Sequence, residues 1–229
     1  MKTIGLIGGL SWESTAYYYR YLNQGIQARL GGLHSAKCML HSFDFAEVVR
    51  LQETGQWQQA ARLLAEAAAK LEAGGCEAVL ICSNTMHSVA GVVQDAIRIP
   101  LLHIIDATAD NVKKQSIRKV GLLGTQYTME QPFYRERLLK LGIEAIVPEA
   151  ADRERVHAII FEELCRGVLK PSSREEYTQI IERLRERGAG GVILGCTEIP
   201  LLVEQGDSPL PLFDTTYIHA SAAVDFALG

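Results

Sequence analysis

Residues 79–85 read VLICSNT and residues 192–198 read VILGCTE, so that Ser83 in the first segment lies opposite Cys196 in the second. Each segment is a continuous apolar run that ends in polar residues. Such runs are typical of buried strands in a parallel sheet that is covered on both faces. The two segments therefore predict an α/β fold that contains a repeated unit.

Two further pairs of segments support the repeat. Residues 5–9 (GLIGG) are similar to residues 121–125 (GLLGT), and residues 100–108 (PLLHIIDAT) are similar to residues 209–216 (PLPLFDTT). One match alone is common among parallel strands, but three matches in the same order and at nearly constant offset favour a duplication. We expect two similar open parallel-sheet α/β domains related by a pseudo-twofold axis, with the active site in the cleft between them.

The apolar runs and the segments with helical periodicity divide the chain into predicted strands and helices. We expect strands at residues 3–7, 78–81, 101–105, 120–123, 145–147, 192–194 and 210–213, and helices at residues 56–74, 130–141 and 172–188. The last strand resembles the strand at residues 101–105, which indicates that it returns to the first domain as that strand's partner. Residues 1–99 and 209–229 are therefore expected to form the first domain, and residues 100–208 the second.

The composition is that of an ordinary folded protein. The 229 residues are 48% hydrophobic and 22% charged, with a net charge of −4, far from the composition of disordered chains. No segment concentrates enough positive charge to bind nucleic acid, and no apolar run approaches the roughly 18 residues of a membrane-spanning helix. We expect a small-molecule partner. Because Tyr17, Tyr18, Tyr19 and Tyr21 suit a dimer interface as well as a core, we also expect a homodimer.

The cysteines and histidines show no pattern of a disulfide scaffold or a zinc site. The five cysteines form no C-x-x-C pair, and the six histidines are far apart in the sequence. An odd number of dispersed cysteines indicates reduced thiols and a cytoplasmic location. Residues 5–9 also lack the G-x-G-x-x-G spacing of a dinucleotide-binding turn. We expect neither a metal nor a cofactor.

Ser83 and Cys196 are the candidates for chemistry, since each follows a predicted buried strand and precedes a predicted helix, with Pro200 early in the second helix. Free N–H groups and the dipole at a helix N-terminus attract a carboxylate and favour a thiolate, so Cys196 is a candidate base or nucleophile. The alternative is that Cys196 is a small buried apolar residue. Cys82 is expected to point to the opposite side of the strand, into the core, and Cys38, Cys76 and Cys165 are also assigned to packing.

Five motifs resemble the aspartate/glutamate racemase family: residues 5–11 (GLIGGLS), 84–87 (NTMH), 160–164 (IFEEL), 195–198 (GCTE) and 213–215 (FDT). The resemblance covers essentially the whole chain and is strongest to the bacterial broad-specificity or Asp/Glu branch. It implies a cofactor-independent amino-acid racemase in which two cysteines lie on opposite faces of the α-carbon. One thiolate removes the α-proton, and the other thiol returns a proton from the far side.

The chain departs from that pattern at Ser83, which stands where the resemblance implies the first catalytic cysteine. A serine hydroxyl is a far weaker acid than a thiol and supplies no standing base at neutral pH. We therefore expect unequal faces, with Cys196 removing a proton and Ser83 at best delivering one. Ser83 is either native or an introduced sulfur-to-oxygen change. Two alternatives are a single-thiol enzyme, such as an arylmalonate-decarboxylase-like protein or an isomerase, and a catalytically weak dicarboxylate-binding protein.

The candidate substrate-binding residues come from the predicted strand ends and from three more distant positions. They are Ser11, Gln52, Asn84, Thr85, Thr125, Thr128, Thr197, Arg155 and Lys170. Gln52 is similar to a substrate-contacting position of the family branch. Arg155, Lys170 and Arg50 are candidates to bind the side-chain carboxylate, although surface charge is the simpler interpretation for each. Glu198 is expected either to hold a neighbouring group or to cap a helix.

Overall fold

The computed structural model describes residues 1–229 and contains two compact units. The first unit comprises Met1–Ile104 together with His219–Gly229, and the second comprises Ile105–Ile218. Each unit has its own parallel sheet. No helix in the chain has both the length and the apolar character needed to cross a membrane.

The first unit is built on a three-stranded parallel sheet. Its strands are β1 (Ile4–Gly8), β2 (Cys38–Ser42) and β3 (Ala78–Ile81), in the spatial order β2-β1-β3. Its helices are α1 (Trp12–Leu30), α2 (Phe45–Glu53), α3 (Trp57–Ala73) and α4 (Ala90–Asp95), with a short 3₁₀ helix at Thr85–Val89. Leu101 continues the sheet by a single parallel bridge to Val79.

The second unit is built on a four-stranded parallel sheet. Its strands are β4 (Lys119–Gly124), β5 (Glu144–Ile146), β6 (Val192–Gly195) and β7 (Leu212–Asp214), in the order β5-β4-β6-β7. The helices that follow α4 along the chain are α5 (Ile104–Lys114), α6 (Gln126–Glu130), α7 (Pro132–Lys140), α8 (Ala150–Glu162), α9 (Pro171–Glu186) and α10 (Thr215–Leu228). Short 3₁₀ helices occur at Leu164–Arg166, Ile199–Leu201 and Gln205–Asp207.

The two units share one topology, which confirms the predicted α/β fold with a repeated unit. In each unit the first strand lies between the second and the third, and a fourth segment pairs with the third strand. The register agrees as well, because Val79 lies opposite Leu101 in one sheet and Val192 lies opposite Leu212 in the other. The repeat in the sequence therefore corresponds to a repeated sheet topology.

Strands β1 and β3 are buried on both faces, which explains why they read as continuous apolar runs. Ile4 and Leu6 pack with the apolar face of α1 and with the end of α10. Ile7 and Val79 point the other way and pack against the alanine-rich face of α3. Gly5 allows α3 to pack closely against β1, since a Cβ at this position would lie 3.2 Å from the Cβ of Leu71 on that helix.

The structure corrects the assignment of the last strand. Residues 210–213 were expected to join the first domain, but β7 pairs with β6 in the second unit. Pro211 O accepts the N–H of Val192 at 2.8 Å, and the Thr215 hydroxyl donates to Leu194 O at 2.8 Å. These bonds pair backbone groups of β6 with the segment that contains β7. The units accordingly divide after Ile104 and after Ile218 rather than after residues 99 and 208.

Candidate active site

Strands β4 and β6 approach closely where they end. Gly124 lies opposite Gly195 in the parallel register. A Cβ on Gly195 would lie 2.8 Å from Leu123 O, and a Cβ on Gly124 would lie 2.7 Å from Gly195 O. Only glycine fits such an approach of two backbones. The next residues, Thr125 and Cys196, therefore leave neighbouring strands at the same edge of the sheet.

Cys196 forms a buried pair with Glu198. Its Sγ donates to Glu198 Oε2 over 2.9 Å, and the Thr197 hydroxyl donates to the same oxygen over 2.9 Å. Cys196 is 6% exposed and Glu198 is 3% exposed. A buried carboxylate that accepts two hydrogen bonds is well placed to take the thiol proton.

The pKa of Cys196 differs from the sequence-based expectation. Burial first, and then the negative charge of Glu198, raise the pKa of the Cys196 thiol. The expected helix dipole is small, because β6 is followed only by the three-residue 3₁₀ helix Ile199–Leu201. Glu198 makes no side-chain cap to that helix, so the capping alternative was wrong. Cys196 is therefore a thiol in this arrangement, and a thiolate would form by proton transfer to Glu198.

Ser83 lies at the corresponding strand end of the first unit. It is 7% exposed, and its hydroxyl accepts the N–H of Met86 at 3.4 Å. The nearest histidine, His87, does not activate this hydroxyl. Its Nε2 accepts the N–H of Ile104 at 3.2 Å, so Nδ1 carries the proton and donates to the Ser83 carbonyl over 2.6 Å. His87, which the sequence analysis did not single out, thus fixes the backbone at Ser83.

The turn after β1 is closed by its own hydroxyl groups. Gly9 has a φ of 72°, and a Cβ there would lie 2.2 Å from Phe43 O. Ser11 is buried and caps α1 by accepting the N–H of Ser14 at 3.5 Å. Thr15 accepts the N–H of Gly9 and donates to Ser11 O over 2.7 Å. Ser11 therefore has a local capping role in this structure.

The structure brings Gln52 to the turn that contains Ser83. Gln52 is buried on α2, and its side-chain amide lies 3.1 Å from Met86 Sδ. Asn84 and Thr85 belong to the same turn and are also buried. Three predicted binding residues therefore accompany Ser83 in the first unit, including one that is 31 positions away in the sequence.

Three predicted threonines accompany Cys196 in the second unit. Thr125 caps α6 by accepting the N–H of Thr128 at 3.2 Å, and the two hydroxyl oxygens lie 3.2 Å apart. Thr197 donates to Glu198, as described above. All three side chains are buried. The strand ends of the second unit thus carry a thiol, a carboxylate and three hydroxyl groups.

Two of the three candidate cations form salt bridges within the second unit. The guanidinium of Arg155 forms a two-bond salt bridge with Glu176, which joins α8 to α9. Lys170 donates to the buried Glu163 over 3.2 Å. Arg50 is exposed on α2. The carboxylate of Glu176 occupies the guanidinium N–H groups of Arg155 that would bind a second carboxylate. The structure therefore gives no support to the expectation that Arg155 binds a substrate carboxylate.

All five cysteines are free. Cys82 is fully buried, which confirms its assignment to the core, and burial raises its pKa. Cys165 packs against the same core cluster as Cys196, and burial, followed by the charge of Glu198, raises its pKa. No three His, Cys, Asp or Glu side chains are grouped so as to hold a metal ion.

Comparisons with known proteins identify the family. A family model described as Asp/Glu/Hydantoin racemase matches residues 7–223. A crystal structure from Yersinia pestis, described as that of a candidate Asp/Glu racemase, is 56% identical and covers 100% of both chains with a TM-score of 0.93. An aspartate racemase homologue from Pyrococcus horikoshii is 37% identical over 100% of both chains, with a TM-score of 0.88. The broad specificity amino-acid racemase RacX of Bacillus subtilis is 23% identical, over 71% of this chain and 70% of RacX. The chain belongs to the Asp/Glu/hydantoin racemase family.

Proposed function

We propose that the protein is a cofactor-independent amino-acid racemase that acts on aspartate or glutamate by α-proton transfer through Cys196. The observation that carries the proposal is the buried pair of Cys196 and Glu198 at a strand end of a chain from this family. Two relatives, one described as an aspartate racemase homologue and one as a broad specificity amino-acid racemase, support the substrate class.

The proposed reaction begins with the pair itself. The S–H bond of Cys196 breaks, and the proton passes to the carboxylate of Glu198 across 2.9 Å. The thiolate then takes the α-hydrogen as a proton, which forms a new S–H bond. The electron pair of the broken Cα–H bond stays on the substrate as a carbanion, delocalised into the α-carboxylate. The Ser83 hydroxyl delivers a proton to the opposite face, which completes the inversion. The alkoxide that this leaves regains a proton through solvent, and Glu198 releases the proton that it took from Cys196.

We propose that Ser83 serves the opposite face as a proton donor only. The one hydrogen bond to its hydroxyl comes from a backbone N–H, and His87 contacts its carbonyl instead. A hydroxyl without a neighbouring base is a poor proton acceptor. The enantiomer whose α-hydrogen faces Cys196 therefore exchanges faster than its mirror image, while the equilibrium between the enantiomers stays that of the uncatalysed reaction.

The hydrogen bonds at Ser83, none of which involves a base at the hydroxyl, also favour a second candidate. This candidate is a single-thiol enzyme that protonates a carbanion formed by decarboxylation or isomerisation. Such an enzyme needs one acid, Cys196, and no base at Ser83. The substrate contacts proposed for either reaction are Asn84, Thr85 and Gln52 near Ser83, and Thr125, Thr128 and Thr197 near Cys196, with the backbone turn at Ser11. All are buried polar residues that accompany the two reactive positions.

One set of experiments separates these functions. The protein is incubated in D₂O with each enantiomer of aspartate and glutamate, and deuterium at the α-carbon is followed by NMR. A racemase incorporates deuterium and produces the other enantiomer. Release of CO₂ from a substituted malonate without amino-acid exchange supports the single-thiol enzyme. Binding of a dicarboxylate with neither reaction supports a binding protein and contradicts both.

A further inference from the structure

Strand β2 forms an open edge of the first sheet. The sheet has the order β2-β1-β3, so β2 pairs with β1 on one side and with no strand on the other. The N–H of Phe43, directly after β2, donates to Gly8 O of β1 at 3.0 Å. Successive residues of a strand direct their backbone groups to alternate sides, so the N–H and C=O groups of Cys38, Leu40 and Ser42 point away from β1. These three residues present unpaired backbone groups at the sheet edge.

The other sheet edges of the protein are protected against pairing. Natural proteins protect an edge with a short strand, a charge, a proline or a covering segment. Strand β3 is covered by the bridge to Leu101, which follows Pro100. Strands β5 and β7 have three residues each, with Glu144 in β5 and Pro211 directly before β7. Strand β2 has five residues, CMLHS, and contains no Lys, Arg, Asp, Glu or Pro. It therefore lacks the protection that the other edges have.

Apolar side chains are exposed along this edge. Leu40 is 51% exposed and Met39 is 40% exposed, although both belong to a sheet strand. Leu33, in the segment that leads into β2, is fully exposed and lines a surface cavity together with Tyr19 of α1. A long, uncharged edge with exposed apolar side chains is the kind of edge that pairs with another strand.

The edge is complementary to a second copy of itself. In an antiparallel pair, alternate residues lie directly opposite each other and exchange two backbone hydrogen bonds. With a twofold axis at Leu40, this residue lies opposite Leu40 of the second copy, and Cys38 lies opposite Ser42 of the second copy. All the outward-pointing residues of β2 are then paired, and the two exposed leucines meet at the centre.

The charges at the two ends of the strand favour the same arrangement. Lys37 directly precedes β2 and Asp44 follows it by two positions, and both side chains are exposed. Asp44 accepts the N–H of Ala46 through Oδ1 at 3.1 Å as the cap of α2, and a carboxylate oxygen can accept further bonds. In an antiparallel pair the start of one strand lies beside the end of the other, so Lys37 of each copy lies near Asp44 of the other. This charge complementarity favours a second copy over an unrelated strand.

We propose that two copies of this chain associate through β2, paired antiparallel about a twofold axis at Leu40, so that their three-stranded sheets form one continuous sheet. The contact is isologous, the type found in twofold dimers, which are the commonest oligomers. Tyr19 and Leu33 lie beside the strand and extend the contact. The proposal concerns assembly alone and does not depend on the racemase function.

The first test is hydrogen exchange of individual amides in the unchanged chain. Analytical ultracentrifugation gives the Kd of the dimer, and exchange is then followed above and below this concentration by mass spectrometry with electron-transfer fragmentation. The amides of Met39 and His41 donate to β1 and should be protected at both concentrations. Those of Leu40 and Ser42 should exchange about tenfold more slowly in the dimer. Such alternation along β2 is specific to pairing at this edge.

The second test uses variants of the edge. Leu40→Pro removes only an N–H that points away from β1, a position at which an edge strand tolerates proline. It should raise the dimer Kd about thirtyfold, because the twofold axis doubles the lost hydrogen bond. Lys37→Glu places like charges at both ends of the pair and should raise the Kd about tenfold. Adding Asp44→Asn should recover part of that loss, since asparagine still caps α2 but carries no charge.

Arg135→Glu is the matched control for Lys37→Glu. Arg135 is exposed on α7 of the second unit, and its replacement changes the net charge by the same amount. It should leave the dimer Kd unchanged. Circular dichroism verifies that each variant is folded, and if Leu40→Pro does not fold, the exchange pattern and Lys37→Glu decide the proposal.

The outcomes separate this interface from other possibilities. A single-chain mass for the unchanged protein at every concentration overturns the proposal. A dimer whose Leu40 and Ser42 amides exchange as fast as in the single chain also overturns it, as does a dimer that folded Leu40→Pro and Lys37→Glu leave intact. Both results would place the contact elsewhere on the chain. Absence of α-hydrogen exchange in any amino acid would contradict the racemase function and leave the β2 interface standing.

Discussion

Cys196 is the residue on which the proposed chemistry depends, and Cys82, a buried core cysteine of the first unit, offers a control. We predict that Cys196→Ala abolishes α-hydrogen exchange in D₂O, because no other cysteine pairs with a buried carboxylate at a strand end. Cys82→Ala should retain most of the exchange, since Cys82 is a core residue one position before Ser83. Equal loss in the two variants, measured by NMR at matched folded fraction, would mean that a core defect rather than a lost thiol explains the result.

Ser83 limits the reaction if the two faces are unequal. We predict that Ser83→Cys raises the rate of racemisation by ~10²-fold, the usual contribution of one placed proton-transfer group. The change replaces oxygen by sulfur at a buried position and adds little volume. Chiral chromatography of the products measures the rate in each direction. Symmetric rates in the unchanged chain, with no gain in the variant, would indicate that another base serves this face.

At the scale of secondary-structure elements, the close approach of β4 and β6 sets the position of Cys196. We predict that Gly195→Ala destabilises the protein by about 1–3 kcal/mol, because the new Cβ would lie 2.8 Å from Leu123 O and 2.9 Å from Leu122 Cδ1. Gly91→Ala in α4 is the control, since a Cβ there meets nothing within 4 Å. It should be neutral or stabilising by up to about 1 kcal/mol. Urea unfolding compares the two, and equal stabilities would contradict the packing argument.

The sequence predicted those elements whose burial can be recognised from the pattern of their own residues. Strands β1, β3, β4 and β6 were recognisable because they are apolar and buried on both faces. Strand β2 was missed, because this edge strand is half-exposed and reads CMLHS. Residues 101–105 were predicted as a strand, but only Leu101 forms a bridge, and α5 begins at Ile104.

The site was predictable to a similar degree. The repeat located Ser83 and Cys196, since both follow apolar strands. The hydrogen bond from Cys196 to Glu198 depends on side-chain geometry after the strand. No spacing in the sequence predicts it. The similarity between residues 101–105 and 210–213 likewise indicated that the two segments hold equivalent positions in the two units. It did not indicate which sheet β7 joins.

At the scale of the whole molecule, homodimer formation stays a prediction. Of the four tyrosines on α1, Tyr18 is fully buried, Tyr17 and Tyr21 are half-buried, and Tyr19 is 58% exposed. Trp12 at the start of the same helix is also exposed. We expect light scattering to give the mass of two chains and Tyr19→Glu to shift the population towards one. A single-chain mass for the unchanged protein at micromolar concentration would contradict the prediction.

The stability of the whole chain should depend on pH through His219. This residue is fully buried in the first unit, where it accepts the Tyr18 hydroxyl at Nδ1 over 2.8 Å and donates from Nε2 to Leu102 O over 2.7 Å. Burial lowers the pKa of His219 to about 4, against 6.5 for an unperturbed histidine. The unfolded chain therefore binds a proton below pH 6.5 that the folded chain does not bind until about pH 4.

The free energy of unfolding consequently falls as pH decreases through this window, by about 3 kcal/mol in total, and the contribution is fully present above pH 6.5. We predict that His219→Asn flattens the dependence of unfolding free energy on pH between 6.5 and 4, even though it lowers stability at neutral pH by removing a buried hydrogen-bonded ring. His34→Asn, at an exposed position, should keep the original slope. Because acidic residues titrate equally in all three proteins, the difference in slope isolates His219. Parallel profiles for the unchanged chain and His219→Asn in urea titrations would show that this histidine gains its proton without unfolding.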